Sequence, residues 1–253
     1  MSPAVAAIFR YPIKGLAGEE LRVARLMPGE ALPGDRRFAI ARGDAGIDPD
    51  RPEWRPKRSF VMLMHDAELA RLRASVDEER GTITFESDGR PPFAADARSA
   101  EGREALEAYL NDALGARPEG PARFVEARGF SFADRRDQGL SVIGLESLAD
   151  LESRAGRSVD PRRFRANLLV RGAAPFAEFE WVGARLHAGE AVLRVLKRLG
   201  RCPATEVDPD TGARDLDVVG ALERHFGHTQ IGVLAEVVRG GNIAVGDVVR
   251  VEA

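Results

Sequence analysis

The sequence predicts a β-rich α+β protein with at least one closed or nearly closed sheet. Three observations carry that expectation: many short apolar runs that alternate with polar residues, 26 glycines and 15 prolines that punctuate them, and only three segments with a clear helical period. The 253 residues are 44% hydrophobic and 30% charged, the profile of a soluble globular chain.

The elements follow in order. Residues 4–13 read as a first strand that ends in Tyr11-Pro12-Ile13-Lys14-Gly15, and residues 21–26 alternate as a second. Pro33-Gly34-Asp35-Arg36 is a turn that feeds a third strand over 37–41, so a rigid element aims Arg36. Residues 43–56, rich in Gly, Pro and Asp, read as a loop, and Lys57 and Arg58 at its end face either the same site as Lys14 and Arg36 or water, of which water is the expected outcome. Residues 67–76 mix helical and strand signals. The turn at 78–81 and the alternation of 82–85 favour a hairpin.

Residues 99–114 form an amphipathic helix with Ser99 as N-cap and Gly115 as stop. Pro118-Glu119-Gly120-Pro121 marks the expected domain boundary, dividing the chain into 1–121 and 122–253. Beyond it come strands over 123–127 and 140–143, a helix over 145–155 closed by Gly156, a strand over 168–170 and another over 191–196. A helix over 215–226 and strands over 231–238 and 247–251 complete the chain, the last two joined through Gly240, Gly241 and Gly246.

Two stretches carry chemistry. Residues 199–212 hold Cys202, the only cysteine, between Arg201 and Pro203 and ahead of the turn Asp208-Pro209-Asp210-Thr211-Gly212. A neighbouring arginine favours the thiolate, the nucleophilic and metal-binding form. Read alone, the segment also looks like a small buried thiol followed by an ordinary turn. Residues 160–167 bring Arg162, Arg163 and Arg165 together before a strand, either as a surface charge cluster or as an anion site built from guanidinium forks.

Several classes fall away. The net charge of −3 argues against a nucleic-acid binder driven by overall charge. One cysteine rules out an internal disulfide and a multi-cysteine cluster. The four histidines, His65, His187, His225 and His228, show no zinc-ligand spacing. The Asp208 turn fails as a calcium loop, because Ala213 stands where glycine is required and Val219 where glutamate is. No stretch approaches the roughly 20 apolar residues of a membrane span, and the N-terminus lacks a basic leader, so a cytoplasmic protein is expected. A soft thiolate suits a metal already held by an organic dithiolene, and scattered Lys and Arg suit a phosphate-bearing cofactor. From the residues alone, a metal-free thiol enzyme fits as well.

In this order, Tyr11-Pro12-Ile13-Lys14-Gly15, Gly34-Asp35-Arg36-Arg37-Phe38, Arg163-Phe164-Arg165-Ala166-Asn167, Arg201-Cys202 with Val207-Asp208-Pro209-Asp210-Thr211-Gly212, and Gly241-Asn242-Ile243-Ala244-Val245-Gly246-Asp247 resemble the MOSC family. The resemblance spans nearly the whole chain. It implies a MOSC N-terminal β-barrel-like domain over 1–121, a MOSC domain over 122–253, and a molybdopterin-type molybdenum cofactor. Carried over by position, Cys202 becomes the molybdenum ligand. Lys14, Arg36, Arg165 and Arg201 hold phosphate and pterin, with Asn167 supporting them, and Asp137 stands near the metal. The implied activity is reduction of N-hydroxylated small molecules, with electrons from a separate ferredoxin- or flavoprotein-type partner and no fused iron–sulfur cluster, ferredoxin-like domain or membrane anchor. The alternatives are a non-enzymatic cofactor or sulfur carrier and a metal-free sulfur-transfer protein that uses Cys202. Gly15, Gln138-Gly139, Ala166 and Leu234 depart from the pattern of the family's reductases, which bears on the substrate.

Overall fold

In the computed structural model, which describes residues 2–252, the strands in the first half are β1 (Ala4–Arg10), β2 (Glu19–Leu21), β3 (Val23–Leu26), β4 (Phe38–Ala41), β5 (Arg73–Asp77), β6 (Thr82–Glu86) and β7 (Phe93–Asp96). After them come β8 (Arg123–Glu126), β9 (Leu140–Gly144), β10 (Leu168–Arg171), β11 (Arg185–Ala188), β12 (Ala191–Gly200), β13 (Gln230–Arg239), β14 (Gly241–Ala244) and β15 (Val249–Glu252). The helices are α1 (Ala100–Leu114), α2 (Leu145–Ala155) and α3 (Val218–Phe226). The protein is mostly β with three helices, as the sequence predicts.

Eight strands form the main sheet in the order β15-β11-β12-β13-β9-β10-β1-β2, antiparallel throughout except for the parallel pair β9–β10. The sheet curls on itself. Val5 N–H donates to Asp247 O at 2.8 Å and Val249 N–H to Pro3 O at 2.7 Å, joining the start of β1 to the approach to β15. Alternation puts Val5, Ile8, Leu140, Val142, Leu193, Val195, Val233 and Ala235 inside the curl, where they exclude water. Strands from either side of Pro121 pair: β1 with β10, β3 with β14 and β4 with β8.

A second core gathers Leu69, Ile83, Phe85, Leu106, Leu110 and Phe124 between α1, the meander β5-β6-β7 and the pair β4–β8. The Ser99 side chain caps α1 by accepting the Gly102 N–H at 2.9 Å, which relieves one orphan donor of the first turn. Helices α2 and α3 share a third core of Leu148, Leu151, Leu222 and Ile231.

Several local expectations need correction. Residues 21–26 are not one strand: the chain divides at Arg22 into β2, which pairs with β1 in the main sheet, and β3, which pairs with β14 in a separate two-stranded sheet. Residues 67–71 form a 3₁₀ turn rather than a strand, because Leu69 and Leu72, three apart, are both buried. The hairpin begins only at Arg73 and pairs with β6 as expected. Helix α3 starts at Val218 rather than 215, because Asp217 accepts the Gly220 N–H and serves as its cap. Strand β12 runs on to Gly200, with register shifts at Val195/Lys197 and Arg198/Gly200. The glycine-rich link after β13 contains β14, and β11 gave no sequence signal.

Candidate active site

The end of β12, the segment before β10 and the segment after β1 converge on one cavity of about 520 Å³. Lys14, Arg36, Asp137, Arg165, Asn167, Arg201 and Cys202 all line it. The bulges in β12 turn the chain off the sheet just before Arg201, which swings Cys202 to the cavity wall.

Cys202 is half-buried and precedes a short turn, Pro203–Glu206. Its carbonyl accepts from both the N–H and the hydroxyl of Thr205 at 3.0 Å, which fixes the backbone on its C-terminal side. Beyond it, the Asp208 carboxylate accepts from Asp210 N, Thr211 N and Thr211 Oγ1, closing the turn the sequence predicts. Arg163 anchors that turn from below. Its buried guanidinium donates to Glu206 O at 3.0 Å, Asp208 at 3.1 Å and Asp215 at 2.8 Å. Arg162 bridges Asp160 and Asp210 at the surface. Two of the three clustered arginines are therefore matched by carboxylates, and Arg165 is the one left over.

Arg165 and Arg36 form a like-charged pair over one aromatic ring. Their guanidinium carbons stand 4.4 and 5.0 Å from the centre of the Tyr11 ring, and Arg36 Nη2 donates to Arg165 O at 3.1 Å. Both residues adopt left-handed backbone angles (φ 53° and 49°), a conformation that non-glycine residues hold at a cost of about 1–3 kcal/mol. Asp35, which accepts the Tyr11 N–H, also pairs with Arg36. Burial opposes ionisation of Arg36, but Asp35 outweighs it and its pKa rises. Arg165 has no carboxylate partner, and burial, followed by the charge of Arg36, pulls it down to about 10. Arg165 Nη1 donates to Leu16 O at 2.5 Å, while Nη2 is buried without a partner. Both arginines keep their charge at neutral pH.

The other predicted residues differ in what they touch. Lys14, buried, donates to Phe132 O at 2.9 Å and pairs with Asp134, and burial lowers its pKa despite that partner. Arg201 donates three hydrogen bonds to backbone carbonyls, Ile231 O from Nε and Nη2 and Phe164 O from Nη1. Burial lowers its pKa to about 10, and its guanidinium fastens the Cys202 segment to β13. Asn167, buried, exchanges hydrogen bonds with Ser141 on β9 and donates to Phe9 O on β1, so it ties three strands together behind the cavity. Asp137 pairs with Lys197, whose hydrogen bond and charge hold its carboxyl below the usual range.

Sequence reasoning passed over several lining or supporting residues. Of the two cations at the end of the 43–56 loop, Lys57 takes the less expected of its two placements and lines the cavity, together with Arg135, for which the sequence gives no signal, whereas Arg58 is exposed as expected. The sequence does not single out Tyr11 or Lys197 for the site, and it offers Arg163 only as one of the clustered arginines, not as the anchor of the cysteine turn. The spacing of Lys197 before Cys202 offers no signal, since a bulge sets its direction. In all, seven basic and two acidic side chains line the cavity of a chain whose net charge is −3, a polarity that suits an anionic ligand.

Residues 2–133 match the family model described as the MOSC N-terminal beta barrel domain, and residues 127–250 match the one described as the MOSC domain. The chain is 38% identical over 71 residues to human "Mitochondrial amidoxime-reducing component 1", covering 28% of this chain and 20% of that protein. It is 27% identical over 174 residues to the "Molybdenum cofactor sulfurase" of Oryza sativa subsp. japonica, covering 63% of this chain and 20% of that protein. The chain thus spans about a fifth of the length of these curated relatives. Among solved structures, the YUAD protein from Bacillus subtilis aligns over 100% of this chain and 97% of its own, with 15% identity and a TM-score of 0.49. Among the described residues, no helix is long and apolar enough to cross a membrane.

Proposed function

Because this chain belongs to the MOSC family, we propose that it is a molybdenum-cofactor-dependent reductase of N-hydroxylated compounds such as hydroxylamines and amidoximes. The observation that carries this reading is the single cavity that joins the chain's only thiol to a paired, partly unsatisfied arginine site. Its residues fit a phosphate-bearing pterin. Arg36 and Arg165 would take the phosphate, for which the partnerless Nη2 of Arg165 and the mutual repulsion of the pair provide the drive. Cys202 would ligate the metal as thiolate. Lys14 would add a third positive charge beside the two arginines, and Arg201 and Asn167 would hold the walls in place.

When bound, the group would supply two-electron oxygen-transfer chemistry beside Cys202. The net change is R–NHOH + 2e⁻ + 2H⁺ → R–NH₂ + H₂O, with the electrons drawn from a separate ferredoxin- or flavoprotein-type donor. Asp137, ionised beside Lys197, would accept a hydrogen bond from the substrate's N–OH and orient it. The names of the relatives, an amidoxime-reducing component and a molybdenum cofactor sulfurase, support the theme.

The test is to load the protein with cofactor and measure molybdenum per chain together with benzamidoxime reduction by a reduced viologen dye. Turnover that disappears with molybdenum in Cys202→Ser is expected. Stoichiometric molybdenum without turnover would overturn the reductase reading in favour of a carrier.

A further inference from the structure

The charges that line the cavity sort into two groups. Deep in the site, Lys14 is matched by Asp134, Arg36 by Asp35, and Arg163 by Asp208 and Asp215, while Arg201 is engaged by carbonyls. Asp137, the second lining carboxylate, is matched by Lys197. The cavity therefore has no uncommitted negative charge. Four lining cations have no carboxylate partner: Arg201, whose donors are taken by carbonyls, Arg165, which is buried beside Arg36, and Lys57 and Arg135.

Lys57 and Arg135 belong to a different part of the cavity from Arg165. Arg135 is exposed and Lys57 half-buried, and both sit on segments that form the outer wall. Those segments are held together, since Trp54 Nε1 donates to Ala133 O at 2.9 Å and the Arg136 guanidinium stacks over the Trp54 ring at 5.1 Å. The charge of Lys57 reaches Asp134 and that of Arg135 reaches Asp137, so each cation lies near one of the two lining carboxylates, Arg135 beside the one assigned above to substrate orientation. Leu234, Ala204, Leu199, Met62 and Met64 complete the lining, an apolar surface suited to the body of a small organic molecule. One phosphate at Arg36 and Arg165 leaves the outer pair free.

We propose that Lys57 and Arg135 form a second anion subsite at the cavity mouth, and that the substrates this protein prefers carry a carboxylate or phosphate remote from the N-hydroxyl group. This rests on the reductase reading. The mouth cations engage the remote anion, the apolar lining takes the body of the molecule, and the N–OH end is directed inward past Asp137 toward Cys202. The same outer pair would also suit the phosphate of a nucleotide appended to the cofactor, so the test separates the two sources.

The experiment compares 4-carboxybenzamidoxime, benzamidoxime and the cationic 4-(aminomethyl)benzamidoxime as substrates of the cofactor-loaded protein with a viologen donor, alongside calorimetric binding of the same three compounds. The carboxylate should be favoured over the neutral compound by about tenfold in kcat/KM, mostly through KM, and bound more tightly by a similar factor. In wild type the preference should shrink as NaCl rises from about 20 to about 300 mM, a readout that needs no variant to fold. The double variant Lys57→Ala/Arg135→Ala should bring the ratio toward unity, and Arg135→Glu should shift preference to the cationic compound. Equal kcat/KM for the three substrates in low salt would overturn the proposal, as would a nucleotide phosphate recovered by mass spectrometry from the bound cofactor and lost with Lys57→Ala. Failure of every substrate, with molybdenum bound, would instead strike the reductase reading, and unequal binding by calorimetry would still register the anion subsite.

Discussion

Replacing Arg163 with glutamine should loosen the turn that fixes Cys202, and the structure sets the size of the effect. The wild-type guanidinium, 4% exposed, holds a backbone carbonyl and two carboxylates at 2.8–3.1 Å. Removing one partner of a fully buried ion pair costs about 3–5 kcal/mol. Here the discount is substantial, because the Asp208 and Asp215 side chains are 24% and 38% exposed, so water can solvate both once the cation is gone. Asp208 also keeps its bonds to Asp210 and Thr211. A loss of about 2–3 kcal/mol is expected, a fall in Tm of roughly 5–10 °C for a chain of this size. Arg162→Gln is the matched control. Its guanidinium is 44% exposed, and its ion pairs should contribute no more than about 1 kcal/mol. Differential scanning calorimetry on the two variants reads the difference, and molybdenum content after loading should fall only in Arg163→Gln. Equal Tm losses, or a loss below about 2 °C for Arg163→Gln, would refute the claim that a buried cation supports the cysteine turn.

Other perturbations probe the remaining supports. Tyr11→Phe keeps the ring under Arg36 and Arg165 and loses only a 3.4 Å hydrogen bond to Ala166 O, so phosphate binding measured by calorimetry should change little. Tyr11→Leu removes two cation–π contacts of about 0.5–2 kcal/mol each and should weaken it at least about fivefold. Lys197→Met removes the cause that depresses the Asp137 carboxyl, so any acid limb in the pH–rate profile that reports Asp137 should move to higher pH. Asp217→Ala removes the α3 cap and should cost about 1 kcal/mol at neutral pH. Because the Asp217 pKa is lowered in the fold, chiefly by Arg224, that contribution is present above the unfolded carboxyl pKa and is lost as pH falls through the folded value. Urea titrations at pH 7 and in acid should show the wild-type and variant curves converging.

Local patterns made much of the fold legible. Ser99 and Gly115 bound α1, Gly156 closes α2, and alternation located most strands of the curled sheet to within a few residues, because each of these signals acts over one turn or one pleat. The misses have non-local causes. Residues 67–71 coil because Leu69 and Leu72 face the same core. β14 exists because β3, more than 200 residues earlier in the chain, offers its edge. The start of α3 was placed early because Asp215 and Asp217 read alike in the sequence, yet one serves Arg163 and the other caps the helix.

The same principle governs the site. Motif order brought Lys14, Arg36, Arg165 and Cys202 to notice, and all four reach one cavity. Whether a given arginine is free to bind a ligand depends on the carboxylates opposite it, and those lie far away in the chain. Arg162, Arg163 and Arg165 are almost adjacent in sequence, yet their partners are Asp160 and Asp210, Asp208 and Asp215, and no carboxylate at all. Within the cavity, Lys14, Arg36 and Arg163 are each matched by a carboxylate, whereas Arg165 is buried with none and keeps one nitrogen without a partner. Burying a guanidinium without a counter-charge is costly, so that one arginine marks the ligand site more sharply than the density of basic residues does.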